Sequence, residues 1–146
     1  MSLWYRVHSQ SAVASVFSGG RWNHVGQKVV YCSESLALAT LEWLTYNGLS
    51  VSAFVCNHFS IEVPDHLVNK YNASELPKGW NTTPASGKSQ DFAESNLFKT
   101  NGPLAIAVPS VMVPEEYNLV INPLHKDFKN AVPTATFLNR HEVPIR

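Results

Sequence analysis

The apolar positions of this chain change period several times. Leu3 to Val7 reads as a short first strand, and Ser9 to Phe17 fits a short helix that ends at Gly19-Gly20. Val29 to Cys32 is a short apolar strand. Ser33 can then cap a helix from Glu34 to about Asn47, with Glu34 in the first turn and Gly48 just past the end. Leu36, Ala39, Trp43 and Leu44 form its expected buried stripe. Val51 to Val63 is the clearest strand, because Val51, Ala53, Val55, Phe59, Ile61 and Val63 share one alternating face. From Pro64 to Lys88 the chain turns polar and rich in Pro, Asn, Ser and Gly, which predicts a long irregular excursion with a turn at Pro77-Lys78-Gly79. A helix over Ser89 to Lys99, capped by Ser89 with Asp91 near its positive end, follows. Leu104 to Val108, Val111 to Val113, Asn118 to Ile121 and Thr134 to Leu138 are further strands, the first three punctuated by Pro109, Pro114 and Pro123. Strands and helices mix without regular βαβ alternation, so the pattern predicts an α+β fold with a mixed sheet and flanking helices.

Composition narrows this to one compact domain over residues 1–146. A chain of that length buries roughly two-thirds of its unfolded surface. Lys plus Arg equal Asp plus Glu at eleven each, and no basic run occurs, so the electrostatic footprint of a direct nucleic-acid binder is missing. Cys32 and Cys56 have neither a CxxC partner nor metal-ligand spacing with a histidine, which fits two free thiols in an intracellular protein. The start Met1-Ser2-Leu3-Trp4-Tyr5-Arg6 lacks the pattern of a signal peptide. No stretch approaches the ~20 apolar residues of a membrane span. The expected location is the cytoplasm, where the sequons at Asn72 and Asn81 carry no meaning.

Only 15% of the chain is charged, so a charge among apolar neighbours needs a physical reason. Arg21, Tyr31 and Glu42 lie ten and eleven residues apart in such surroundings. On a helix, Glu42 has Leu38, Ala39, Thr45 and Tyr46 one turn away and no Lys or Arg in reach. It is either at the edge of a solvated face or a partly buried carboxylate, with a raised pKa or a cationic substrate to stabilise. Arg21 follows two glycines that allow a close approach to a ligand; it is a solvated loop side chain or a bidentate clamp for phosphate or carboxylate. Tyr31 is a core aromatic with a satisfied hydroxyl, or a group that stacks on a ring or bonds a ribose. Ser110 lacks the surroundings of a serine nucleophile. No P-loop, GxGxxG or HxxxH pattern occurs, so neither a Rossmann-type site nor a metal site is expected. Trp22 and Trp80 are read as core.

With these residues in place, the chain resembles the RES-domain family, named for an arginine, a glutamate and a serine. The likeness runs through Leu3-Trp4-Tyr5-Arg6, Gly20-Arg21-Trp22-Asn23 with Gly26, Val30-Tyr31 and Ala39-Thr40-Leu41-Glu42. It continues in Leu76-Pro77-Lys78-Gly79-Trp80, Val108-Pro109-Ser110, Glu116-Tyr117-Asn118 and Ile121-Asn122-Pro123 through His125 and Phe128. The order and spacing of these pieces together make the likeness specific. Asp91-Phe92, where the family tends to have an aspartate followed by Trp, and Asn139-Arg140 near the end depart from the pattern.

The resemblance implies a fold similar to that of ADP-ribosyltransferases and a toxin of a bacterial toxin–antitoxin pair that depletes NAD. Its partner would be an Xre-like helix-turn-helix antitoxin, and any DNA contact would come only through that partner. The alternatives are a toxin that ADP-ribosylates a protein, and a non-catalytic module binding a nucleotide or a partner. NAD would be substrate, with no resident cofactor, no metal and no membrane; a homodimer is left open. The expected catalytic set is Arg21, Tyr31, Glu42 and Ser110, and the expected dinucleotide contacts are Arg6, Arg21, Asn23 and Tyr31. The chemistry suits these residue types. Cleaving the nicotinamide–ribose bond puts positive charge on the sugar, as in glycoside cleavage, and a placed carboxylate stabilises it. Nicotinamide leaves as a neutral ring, and an arginine offers countercharge to the pyrophosphate.

Overall fold

The computed structural model describes residues 1–8, 19–47, 53–131 and 135–144. Within them one mixed sheet is built from seven strands: β1 (Ser2–His8), β2 (Val30–Ser33), β3 (Ala53–Val63), β4 (Val68–Lys70), β5 (Ala105–Pro109), β6 (Tyr117–Ile121) and β7 (Thr136–Pro144). Three α-helices accompany it, α1 (Leu36–Asn47), α2 (Lys88–Asn96) and α3 (Phe128–Ala131). The strand order is β4-β5-β6-β2-β1-β3-β7, antiparallel throughout except for the β4–β5 pair. This is the expected α+β architecture.

The sheet is covered on both faces. The run Ala105-Ile106-Ala107-Val108-Pro109 is buried at every position, as a strand sandwiched between two layers must be. Ala105 and Ala107 join Trp4, Val30, Cys32, Ile61, Val63, Leu119 and Ile121 in one cluster. Ile106 and Val108 join Trp22, Val29, Val120, Leu76, Trp80 and the α2 residue Ala93 in the other. Trp22 and Trp80 are therefore core, their rings stacked with centroids 6.1 Å apart. A third cluster, Val7, Cys56 and Ala39, seats α1 against β1 and β3.

Several details differ from the sequence expectation. Ser33 does not cap α1: its hydroxyl donates to Asn118 Oδ1 at 2.7 Å, and Ser35 Oγ instead accepts the N–H of Leu38 at 3.1 Å. The helix accordingly begins at Leu36, two residues later than expected. Its buried face holds Leu38 with Ala39, while Leu36, Trp43 and Leu44 are half-buried. Gly87 in a left-handed conformation precedes α2, and Ser89 is buried one position inside it, donating to the carbonyl of Arg21. Val111 to Val113 is no strand. The N–H groups of Met112 and Val113 both turn back onto Ser110 Oγ at 3.1 Å, which folds the segment into a loop. The Pro64 to Lys88 excursion carries structure of its own, the short strand β4 and two single-turn 3₁₀ helices, Asp65–Leu67 and Ala73–Glu75. The expected turn at Pro77-Lys78-Gly79 is present, closed by Trp80 N–H to Pro77 C=O at 3.1 Å.

In β3 the expected face is buried only in its second half. Phe59, Ile61 and Val63 are covered, but Val55 is 46% exposed while Cys56 on the opposite face is buried. Among the described residues, pairing with β1 ends at His8–Asn57; Val55 lies beyond that pair, while Cys56 packs with Val7 and Ala39. The last strand is longer than expected and shifted toward the C-terminus, Thr136–Pro144. The expected helix at Ser9 to Phe17, with Gly48, Val51 and Thr134, lies outside the described residues.

Candidate active site

A cavity of about 510 Å³ opens between α1, the N-terminal part of the sheet and the loop after Gly19. Arg6, Arg21, Tyr31 and Glu42 all line it, together with the aromatic rings of Trp22, Trp43 and Tyr46. Four of the six expected site residues thus meet around one space. Ser110 and Asn23 do not line it; both are fully buried behind residues that do.

Glu42 is half-buried and held by neutral donors. Ser110 Oγ donates to Glu42 Oε1 at 2.9 Å, and Asn118 Nδ2 donates to the same oxygen at 3.0 Å. Oε2 has no hydrogen bond among the described residues, and no Lys or Arg lies within ion-pair distance of the carboxylate there. Ser110 uses its whole capacity, one O–H given to Glu42 and two lone pairs taken by Met112 and Val113 N–H. It is a strut under the carboxylate rather than an exposed hydroxyl. Asn118 is equally committed, its Oδ1 accepting from Ser33 and its Nδ2 reaching Glu42. Asn118 and Ser33, which also line the cavity, are not among the site residues expected from the sequence. The available signal was a polar residue directly before the buried run Leu119-Val120-Ile121.

Arg21 sits across the cavity. Its Nη1 donates to the carbonyls of Trp80 at 2.9 Å and Thr82 at 2.8 Å, which fixes the plane of the guanidinium. Burial lowers its pKa, and the nearby Glu42 and Tyr31 oppose that shift. The loop carrying it is clamped by α2: Gln90 Nε2 reaches the carbonyls of Gly20 at 2.7 Å and Asn23 at 3.2 Å, beside the Ser89 contact to Arg21.

Tyr31 is half-buried on the cavity wall. Its hydroxyl donates to Asn23 Oδ1 at 2.5 Å and accepts the N–H of Trp22 at 3.2 Å. Burial raises the phenol pKa, with the Trp22 N–H bond working the other way, so the ring stays neutral. Asn23 spends the other end of its amide on Gln27 C=O at 3.0 Å. Asn23 is therefore the bracket that orients Tyr31. Gly20 closes this corner, since a Cβ there would stand 2.9 Å from both Asn23 Oδ1 and the Tyr31 hydroxyl.

Arg6 is buried at the inner end, with Nη1 donating to the carbonyl of Tyr31 at 2.6 Å. Burial lowers its pKa and Cys32 opposes the shift, yet a guanidinium stays protonated in a protein. Next to it, burial and then the Arg6 charge push His8 down to about 4, a neutral imidazole at pH 7. Cys32 is pushed up to about 12 by burial, so its thiol stays protonated. Away from the cavity, His24, Asp91 and Glu94 gather their ligand atoms within 4.8 Å of one another, a grouping that short-spacing patterns miss because 67 residues separate His24 from Asp91. Its contacts, 3.1 Å to Asp91 and 3.7 Å to Glu94, are those of an imidazole between two exposed carboxylates.

The fold and cavity define an α+β protein whose pocket pairs a carboxylate, held without a cation, with two arginines and an aromatic wall. The chain belongs to the RES-domain family, whose model matches residues 3–142. It is 37% identical over 131 residues to the Prs ADP-ribosylating toxin of Sphingobium sp. (strain YBL2), covering 86% of this chain and 79% of that protein. It is 32% identical over 135 residues to Toxin Res of Yersinia enterocolitica, covering 88% of each. With Toxin Res of Photorhabdus laumondii it shares 30% identity over 142 residues, 92% of this chain and 90% of that one. No helix among the described residues is long and apolar enough to cross a membrane.

Proposed function

We propose that this chain is a toxin that consumes NAD by breaking the bond between nicotinamide and ribose. The observation that carries the reading is Glu42, a half-buried carboxylate on the cavity wall whose described hydrogen-bond partners are the neutral Ser110 and Asn118, with the Arg21 charge nearby but outside ion-pair distance. Neutral donors orient the group without cancelling its charge. That charge is then available to the cationic sugar that forms as nicotinamide leaves, the kind of stabilisation that typically contributes 10²-fold or more. Arg21 and Arg6 offer countercharge for the pyrophosphate, and Tyr31, with Trp43 and Tyr46, offers aromatic surface to the rings. The departing electron pair neutralises the pyridinium ring, so the site needs no strong general acid. Water or phosphate then takes the ADP-ribosyl group at the exposed face of the ribose.

A second reading, transfer of ADP-ribose to a protein, is favoured by the name of the Sphingobium relative, a Prs ADP-ribosylating toxin. The two share every step up to the acceptor. A non-catalytic nucleotide-binding module would leave a carboxylate held at the cavity wall by neutral donors without a use. We further propose that an Xre-like helix-turn-helix antitoxin restrains the enzyme in the cytoplasm and that DNA is bound only through it, in keeping with the chain's zero formal net charge. Expression of the chain alone in bacteria should arrest growth and lower cellular NAD, and co-expression with the antitoxin should restore both. Normal growth and normal NAD with the active chain expressed alone would overturn the toxin reading.

A further inference from the structure

None of His24, Asp91 and Glu94 lines the cavity, yet the three converge where the loop carrying Arg21 and Asn23 meets α2. Asp91 and Glu94 are three residues apart on α2, so they share one face of the helix. His24 comes from the loop and is set by a turn of its own. Its N–H donates to Gln27 Oε1 at 2.9 Å, and its carbonyl accepts the N–H of Gln27 at 3.0 Å. Ser89 and Gln90 hold the same loop to the first turn of α2 through the carbonyls of Arg21, Gly20 and Asn23. The imidazole and the two carboxylates therefore face each other on a frame built by contacts in which none of the three side chains takes part.

We propose that His24, Asp91 and Glu94 bind a zinc ion that fastens the Arg21 loop to α2. The spacing fits. Tetrahedral zinc with bonds of about 2.0–2.1 Å sets its ligand atoms about 3.3–3.4 Å apart. His24 Nε2 lies 3.1 Å from Asp91 Oδ1 and 3.7 Å from Glu94 Oε2, and all three ligand atoms fall within 4.8 Å of one another. The donor types fit as well. A ring nitrogen beside two carboxylates suits zinc, whereas magnesium and calcium take oxygen ligands. The charge fits too, since no Lys or Arg among the described residues stands within ion-pair distance of either carboxylate. Left to themselves, an imidazole and two carboxylates this exposed hold the loop only weakly. A divalent ion joins all three at once, and solvent supplies water for the fourth position. The ion lies outside the cavity lining, so its part is to hold the wall that carries Arg21 and the Asn23 bracket.

Calorimetric titration of the chelator-treated, tag-free chain with zinc chloride near neutral pH tests this directly. One zinc per chain is expected, with a dissociation constant of about 10 µM or tighter. His24→Ala, Asp91→Asn and Glu94→Gln should each weaken binding by roughly tenfold or more. Asp91 and Glu94 are exposed and His24 is half-buried, so the variants should keep the native circular dichroism. Magnesium chloride in place of zinc should give no binding heat. Two further readouts report the fastening itself. A hundredfold excess of zinc over its dissociation constant should raise the melting temperature by roughly 5–10 °C. Hydrogen exchange should slow at the amides of Gly20 and Gln27, which close the loop onto Asn23 and His24. No binding up to about 1 mM zinc overturns the proposal. So does binding that His24→Ala and Asp91→Asn leave unchanged, which would put the ion on other groups such as His58 and His141, whose rings lie 5.6 Å apart. Zinc bound at the three residues with no change in loop exchange would overturn the fastening.

Discussion

Replacing Asn118 separates the geometry of Glu42 from its mere presence. Asn118 supplies one of the two hydrogen bonds on Glu42 Oε1, at 3.0 Å, and takes the Ser33 hydroxyl on its other end at 2.7 Å. In Asn118→Leu the side chain is near in volume, but Oε1 loses a donor and Ser33 loses its acceptor. Two effects oppose each other. A carboxylate with fewer donors concentrates more charge, which by itself favours a cationic transition state. A carboxylate with one anchor in place of two also wanders, and a displacement near 1 Å from productive geometry can cost about 10²-fold. The bond itself, a neutral donor to a charged acceptor, is worth about 1.5–3 kcal/mol. If that energy is fully expressed in the transition state, kcat falls roughly 10- to 150-fold. The positional loss is the larger effect, so kcat should drop by that order while KM for NAD changes little. Asn118→Asp adds a sharper readout. It sets a second carboxyl group at the position now held by the amide, and two carboxylates that close cannot both ionise. The pair retains a proton to higher pH, so the acid limb of the kcat profile moves upward relative to the native chain. Steady-state NAD consumption across pH 5–9, with thermal unfolding to check the fold, reads both variants. Native kcat in Asn118→Leu, or an unmoved acid limb in Asn118→Asp, would refute the positioning role.

Gly20→Ala should destabilise the protein by about 1–3 kcal/mol, because the new Cβ meets Asn23 Oδ1 and the Tyr31 hydroxyl at 2.9 Å. Thermal melting should fall by roughly 3–10 °C, and Tyr31→Phe in the same chain should recover part of it. Arg21→Lys should lose much of the NAD affinity by calorimetry, since an ammonium cannot hold the Trp80 and Thr82 carbonyls and a bidentate phosphate together; unchanged binding would count against the phosphate role. Cys32, its thiol pushed up to about 12 by burial, should resist a disulfide reagent at about pH 8 in the folded chain and react once denatured.

Much of this architecture is legible in the chain because burial writes itself as pattern. The alternation ending Phe59-Ser60-Ile61-Glu62-Val63 names a strand face, and the unbroken Ala105-Ile106-Ala107-Val108 names a strand covered twice. The convergence of Arg6, Arg21, Tyr31 and Glu42 on one cavity is foreshadowed by charges in apolar surroundings. What pattern does not carry is partnership between distant side chains. Asn118 reads as an ordinary polar start to β6, yet it reaches Glu42 across 76 positions of sequence. Ser33 and Ser89 read as helix caps because that is the commonest local use of serine; tertiary partners, Asn118 and the Arg21 carbonyl, take both. Val111 to Val113 has the composition of a strand, and only the Ser110 hydroxyl, which draws two of its N–H groups back, makes it a loop.

The most direct measurement is product analysis of NAD incubated with the purified chain, native and Glu42→Gln, with and without inorganic phosphate. Loss of the charge at constant shape should slow nicotinamide release by about 10²-fold or more while the melting temperature is kept. Nicotinamide with ADP-ribose in either buffer marks hydrolysis, and a phosphorylated ADP-ribose formed only with phosphate marks phosphorolysis. Nicotinamide released by Glu42→Gln at the native rate would contradict the account.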